Sequence, residues 1–144
     1  MLVHQILNSK GEGAVICVKP SALISEVSQI LAEKRIGGVI VSKDGKKIAG
    51  ILSERDIVRS LALRGADCLL EKVDEMMTRN PVCCAKGDSA DDVLKRMTDG
   101  RFRHMPVVEK GELIGIVTIG DVVKARLTEL SMEKEALEGM IMGH

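Results

Sequence analysis

Gly50-Ile51-Leu52-Ser53-Glu54-Arg55-Asp56-Ile57-Val58 and Gly115-Ile116-Val117-Thr118-Ile119-Gly120-Asp121-Val122-Val123 are two copies of one pattern. Each reads glycine, two aliphatics, a hydroxyl residue, two variable positions, aspartate, two aliphatics. The aliphatic pair predicts the end of a strand, and the hydroxyl residue predicts the start of a helix. Asp56 and Asp121 stand 65 positions apart. An internal repeat of this kind decides the architecture before any single element does.

Working outward, each copy is preceded by the same order of elements. In the first half, Val3 to Leu7 carries a short apolar stripe at helical spacing. Lys10-Gly11-Glu12-Gly13 breaks it, and Ala14 to Val18 reads as a strand closed by Lys19-Pro20. Ser25 to Arg35 reads as a helix with Ile24, Val27, Ile30 and Leu31 on one face, ended by Gly37-Gly38. Val39-Ile40-Val41 is a strand, and Asp44-Gly45 signals a hairpin to the strand that enters the first motif. A helix from Ser53 follows and stops at Arg64-Gly65.

The second half replays this order. Val73 to Met77 echoes Val3 to Leu7, and Pro81-Val82-Cys83-Cys84 is the short strand. Ser89-Ala90-Asp91-Asp92 opens a helix with acid in its first turn, carries Val93, Leu94 and Met97 inward and ends at Gly100. Met105-Pro106-Val107-Val108 is a strand with proline early or at an edge, and Lys110-Gly111 turns the chain. Ile36 matches Phe102, Ile40 matches Pro106 and Val41 matches Val107, all 66 apart, before the hairpin loses one residue. The expected division is 1–66 for the first repeat, 67–127 for the second and 128–144 for a helical extension. Each repeat is strand, helix, strand, strand, helix, an α+β unit with a sheet covered by helices. The extension's stripe, including Leu130, Leu137, Met140 and Ile141, has no partner in its own repeat. It is expected to cover the N-terminal segment or a second subunit.

Composition narrows the class. With 144 residues, two fused halves of about 65 suit the length better than one thin-cored half. Lys+Arg and Asp+Glu are both 21, which argues against a nucleic-acid or membrane-surface partner. No apolar run is long enough for a membrane span, and the N-terminus lacks the basic and apolar regions of a signal peptide. Cys17, Cys68, Cys83 and Cys84 form no C-x-x-C and read as reduced core residues of a cytoplasmic protein. With no Trp or Tyr and a single Phe, the core must be aliphatic.

The duplicated unit, the Met105-Pro106-Val107-Val108 strand and the two Gly-to-Asp motifs resemble tandem CBS domains, named after cystathionine β-synthase. The resemblance runs from about Val3 to Arg126, and the likeness is greatest to stand-alone bacterial CBS pairs. It implies two β-α-β-β-α repeats packed with pseudo-two-fold symmetry, the arrangement called a Bateman module. It also implies two clefts between the repeats, adenine nucleotide binding (AMP, ADP, ATP, sometimes NAD(H) or S-adenosylmethionine) and further association into a homodimer.

Candidate site residues follow. Ser53 and Thr118 stand where free backbone N–H groups and a hydroxyl can hold a phosphate. The same pattern also serves as a helix cap that needs no ligand. Asp56 and Asp121 suit two vicinal ribose hydroxyls, and the resembled family uses the matching aspartate in this way. Favourable acids in a first helical turn are the alternative. Arg101, Arg103 and His104 cluster before Met105, and Arg55 flanks Asp56. In related pairs basic residues near the Arg101 cluster approach the phosphate, and arginine suits bidentate phosphate contact. An aliphatic slot for adenine would draw on Val15, Ile16, Ile40, Val82, Cys83, Met105 and Pro106, with Ile51 and Val117 behind. The copies differ at Glu54-Arg55 against Ile119-Gly120, which favours the site of Thr118 and Asp121 as the tighter one.

Three functions compete. One is a non-catalytic sensor that binds a small-molecule nucleotide and reports to a regulated protein on another chain. A second is an enzyme, against which the sequence shows no nucleophile-base set, no metal-ligand cluster and no Walker lysine loop. A third is a ligand-free structural or dimerisation scaffold whose clefts are plugged by side chains.

Overall fold

Both motif copies make the expected passage from strand to helix. The computed structural model describes residues 1–11 and 15–142, so Ala14 of the expected first strand and Glu12 and Gly13 of the expected break lie outside the described residues. The chain runs α1 (Val3–Ser9), β1 (Cys17–Val18), α2 (Ile24–Lys34), β2 (Gly38–Val41), β3 (Gly50–Ser53) and α3 (Glu54–Arg64). A 3₁₀ turn (Ala66–Leu70) leads to α4 (Val73–Met76), β4 (Thr78–Arg79), α5 (Ala90–Gly100), β5 (His104–Glu109), β6 (Glu112–Thr118) and α6 (Ile119–Ile141).

The register of the two hairpins shows the duplication directly. Gly38 pairs Ser53, Val39 pairs Leu52 and Ile40 pairs Ile51. Their counterparts His104, Met105 and Pro106 pair Thr118, Val117 and Ile116. Strands β1 to β4 form one sheet in that order, with β1 and β2 parallel. The second hairpin stands as a two-stranded sheet, joined in parallel by a single bridge from Cys84 to Val107. Pro81 to Cys84 is therefore not the strand expected from its apolar run. Only Cys84 reaches the ladder, giving its N–H to Pro106 O at 2.9 Å and accepting from Val108 N at 2.9 Å.

Helix ends correct another expectation. α2 is closed by Arg35 and α5 by Arg101, both left-handed, with φ of 54° and 57°. Gly37 and Gly38 are outside the left-handed region, so the helix does not need them for its termination. Their role appears at the functional site.

Alternation along the strands divides each side chain between two faces. Val39, Val41 and Leu52 enter one core with Ile24, Val27, Leu31, Ile57, Val73 and Met77. Met105, Val107 and Val117 enter a second with Val93, Met97, Val122, Val3 and Ile6. The intervening Ile40, Ile51, Pro106 and Ile116 belong to the opposite sheet faces.

Core membership shows that the helices ahead of each repeat are exchanged. α1 precedes the first repeat but packs with the second: Val3 N–H bonds Asp88 O at 2.9 Å and Ala90 N–H bonds Met1 O at 2.9 Å. α4 precedes the second repeat but packs with the first: Val73 N–H bonds Ala22 O at 2.8 Å and Ile24 N–H bonds Glu71 O at 3.0 Å. Burying Val3, Ile6 and Val73 removes about 1.5–3 kcal/mol of apolar exposure per side chain, so each half depends on chain from the other.

The same exchange explains the motif glycines. A Cβ on Gly50 would stand 2.7 Å from Met77 Sδ and 2.7 Å from Thr78 O, and one on Gly115 would stand 2.8 Å from Leu7 Cδ2. Each motif begins with glycine because the exchanged helix crosses there. At the other end of the chain, α6 runs unbroken into the extension. Val122 and Ala125 are buried, and the Met1 ammonium bonds Glu129. Past that point Leu130, Leu137, Met140 and Ile141 are exposed, so the N-terminal segment accounts for only the start of the stripe.

Candidate functional site: two corresponding clefts

Two clefts lie between the halves, with volumes of about 430 and 340 Å³. Both fall within the ~300–1,000 Å³ range of small-molecule sites. Their walls correspond position by position. Ile16, Arg35, Ile36, Gly37, Gly38, Ile116 and Thr118 line the first. Val82, Arg101, Phe102, Arg103, His104, Ile51 and Ser53 line the second. Each cleft thus joins the helix end of one repeat to the hydroxyl residue of the other, which no half could supply alone.

The helix starts are alike. Ser53 Oγ accepts Asp56 N–H at 3.4 Å, while Asp56 Oδ2 accepts Ser53 N–H at 3.0 Å. Thr118 Oγ1 accepts Asp121 N–H at 3.2 Å, while Asp121 Oδ2 accepts Thr118 N–H at 2.9 Å. Both are reciprocal capping boxes, the alternative that the sequence left open. Capping occupies one carboxylate oxygen of each aspartate, and each carboxylate keeps its second oxygen for another donor.

The surroundings differ. In the second cleft Arg55, Arg59, Arg101 and Arg103 gather around Ser53 and Asp56. In the first, the positions of Arg103 and His104 are taken by Gly37 and Gly38, and the added charge comes from Lys10. Lys10 Nζ lies 2.7 Å from Asp121 Oδ2 and donates to Ile116 O at 2.9 Å. Burial pushes the Asp121 carboxyl up, but the Lys10 ammonium and the Thr118 amide together outweigh it and hold the group below its ordinary value.

His104 lines both clefts. Burial pushes its imidazole below the ordinary histidine value; Glu54 and Asp121 oppose that shift, whereas Lys10 and Arg103 add to it. The ring is therefore neutral near pH 7 and offers one donor and one acceptor.

Of the expected residues, Ser53, Asp56, Arg55, Arg101, Arg103, His104 and Val82 meet in the second cleft, and Ile16, Thr118 and His104 meet in the first. Asp121 stands beside the first cleft through Lys10. The arginine cluster faces Ser53 and Asp56, not the pair favoured from sequence. Met105 and Pro106 line neither cleft: Met105 is wholly buried in the second core, and Pro106 is buried as well. Both were expected as adenine walls, but strand alternation places Met105 on the wrong face. Lys10, Arg35, Gly37 and Gly38 were missed. Sliding the repeats by 66 sets Gly37-Gly38 against Arg103-His104 and could have found the glycines. Lys10 had no such signal, because its position depends on the exchanged α1.

The CBS domain model matches residues 12–63 and 73–128. The chain belongs to the CBS-domain family, and the two matches make it a tandem CBS pair. The solved CBS-domain containing protein ATU1752 from Agrobacterium tumefaciens is 42% identical, covers 88% of this chain and 99% of its own, and has a TM-score of 0.83. CBS domain protein PAE2072 from Pyrobaculum aerophilum, solved with AMP, is 27% identical across 92% of this chain and 99% of its own, with a TM-score of 0.76. The mitochondrial CBS domain-containing protein CBSX3 of Arabidopsis thaliana is 30% identical across 98% of this chain and 72% of its own length.

Proposed function

We propose that this chain is a non-catalytic sensor module that binds an adenine nucleotide, AMP foremost, in the clefts between its CBS repeats. ADP, ATP and NAD(H) carry the same adenosine group and belong to the same reading. The observation that carries it is the correspondence of the two clefts. Each sets a helix N-terminus and an aliphatic wall around a space of ligand size, with the Asp56 carboxylate on the wall of the second cleft and Asp121 beside the first through Lys10. Amides at the helix start suit phosphate, the carboxylate suits the ribose diol, and Ile16 with Ile116, or Val82 with Ile51, suits the base. These groups hold a ligand; they do not form a nucleophile activated by a base. The solved relative that carries AMP supports the choice of nucleotide. Sensing requires that the nucleotide bind two states unequally, and the listening partner then lies on another chain. A homodimer and a cytoplasmic, reducing location complete the reading, the latter supported by four unpaired cysteines.

A structural scaffold is the second reading, and one observation favours it: both capping boxes are complete without a ligand. Two measurements separate them. The protein has no Trp or Tyr, so co-purified nucleotide would dominate the 260 nm absorbance and leave on denaturation. AMP at 100 times its Kd would add about 2.7 kcal/mol of stability and raise the melting temperature. A melting temperature indifferent to AMP, ADP, ATP and NAD(H) would favour the scaffold.

A further inference from the structure

The two clefts differ in how a phosphate would be neutralised. The second carries Arg101 and Arg103 on its wall, whereas the first carries Gly37 at the position of Arg103. Arg35, the counterpart of Arg101, is exposed at the first cleft's rim. Among the described residues the remaining cation there is Lys10, which comes from the exchanged N-terminal arm and not from either repeat motif. Its ammonium sits 2.7 Å from Asp121 Oδ2, on the carboxylate that the ribose diol would use.

One hydroxyl of a diol can use the open oxygen of Asp121, but the other must share Oδ2 with Lys10 and therefore competes with it. If the ligand brings no charge, Lys10 loses an ion pair and gains nothing. If the ligand brings a phosphate to the helix start at Thr118, Lys10 can exchange one anion for another. Thr118 N–H and Lys10 Nζ already share Asp121 Oδ2, so the helix start and the ammonium are adjacent. A lysine on a flexible four-carbon stem can make that short move; a buried arginine fork could not do so as readily. We propose that Lys10 is the ligand-selecting residue of the first cleft, releasing Asp121 to the ribose and taking the phosphate, so that this cleft discriminates nucleoside 5′-phosphates against uncharged nucleosides. The inference rests on the nucleotide-binding reading above and names the residue that sets its selectivity.

The test is calorimetric titration of AMP and of adenosine into the full chain, with Asp56→Asn present throughout to weaken the second cleft. In that background AMP should bind more tightly than adenosine. Lys10→Met, which keeps the stem and removes the charge, should weaken AMP about tenfold, the scale of one charge-assisted hydrogen bond. It should leave adenosine unchanged or tighter, because the competitor for Asp121 is gone. Lys10→Arg should restore part of the gap. An equal loss for both ligands would mean that Lys10 only supports the fold, and an unchanged ratio would mean that it takes no part; either result overturns the inference while nucleotide binding stands. Heat from neither ligand, in wild type as in the variants, would overturn the nucleotide reading itself and this inference with it.

Discussion

The His104 ring lies against Gly38, so that a Cβ built on Gly38 would stand 3.2 Å from three ring atoms. The two residues occupy the same position in the two repeats, each pairing the hydroxyl residue of its own motif. A symmetric pair of large side chains could not both occupy this place near the pseudo-two-fold axis. The chain resolves the conflict with one imidazole and one glycine, and the two clefts become unequal as a result.

Gly38→Ala should consequently destabilise the fold by about 1–2 kcal/mol, the usual cost of overfilling a packed site. Combining it with His104→Ala should recover much of that loss, since the added methyl then meets space. Urea unfolding of the four chains gives the coupling directly, expected at about 1 kcal/mol. Purely additive losses would show that the contact does not matter.

The motif glycines should respond unequally. At Gly50 the added methyl meets the Thr78 carbonyl, which is backbone, whereas at Gly115 it meets the end of the flexible Leu7 side chain. Gly50→Ala should cost about 3 kcal/mol and Gly115→Ala about 1 kcal/mol. Thermal melting of the two variants ranks them, and the reverse ranking would contradict the exchange of α1 and α4.

Asp121→Ala removes the reciprocal cap of α6 and the Lys10 ion pair together. The fold should survive with a loss of about 1 kcal/mol, the value of one helix cap. Most of the AMP-dependent rise in melting temperature contributed by the first cleft should disappear. A full rise in this variant would remove Asp121 from the site.

Stability should fall as pH falls below about 6.5, the ordinary value for histidine. The folded His104 has a lowered pKa, so between that lowered value and 6.5 the unfolded chain binds more protons than the folded one. The stability that a neutral His104 supplies is present above the unfolded value and lost as pH drops through the folded one. Asp121 acts in the same direction at lower pH, because its pKa is also lowered and its contribution is lost only as the carboxylate protonates. His104→Gln should flatten the urea midpoint between pH 7 and pH 5.5 while leaving the acid limb of Asp121 intact. An equal slope in both chains would show that the imidazole titrates freely.

Cys17, Cys83 and Cys84 should be slow toward disulfide reagents at pH 8. Burial pushes Cys84 up to about 12 and also raises Cys17 and Cys83. The thiolate is the reactive form. Native protein should therefore release reagent chromophore far more slowly than urea-unfolded protein, and rapid modification of Cys84 would show that its core position opens easily.

Local pattern was enough for the repeat, for both helix starts and for the two hairpin turns. Ser53 and Thr118 cap because a hydroxyl before an amphipathic run satisfies free amides within three residues, and that chemistry is visible in the chain. Strand periodicity marked β5 but could not say which of its faces would look into a cleft, so Met105 was misplaced. Nor could it say that α1 and α4 would cross to the opposite halves. That choice depends on which half offers an uncovered core and a glycine to pass over, and both are properties of the folded pair. Lys10 meets Asp121 across more than a hundred residues only because of this exchange. The sequence by itself determined a duplicated CBS unit and its motif residues, because these follow from short-range periodicity. Only the tertiary structure decided which residues share a cleft and which cation serves each, because those depend on long-range packing around an imperfect two-fold axis.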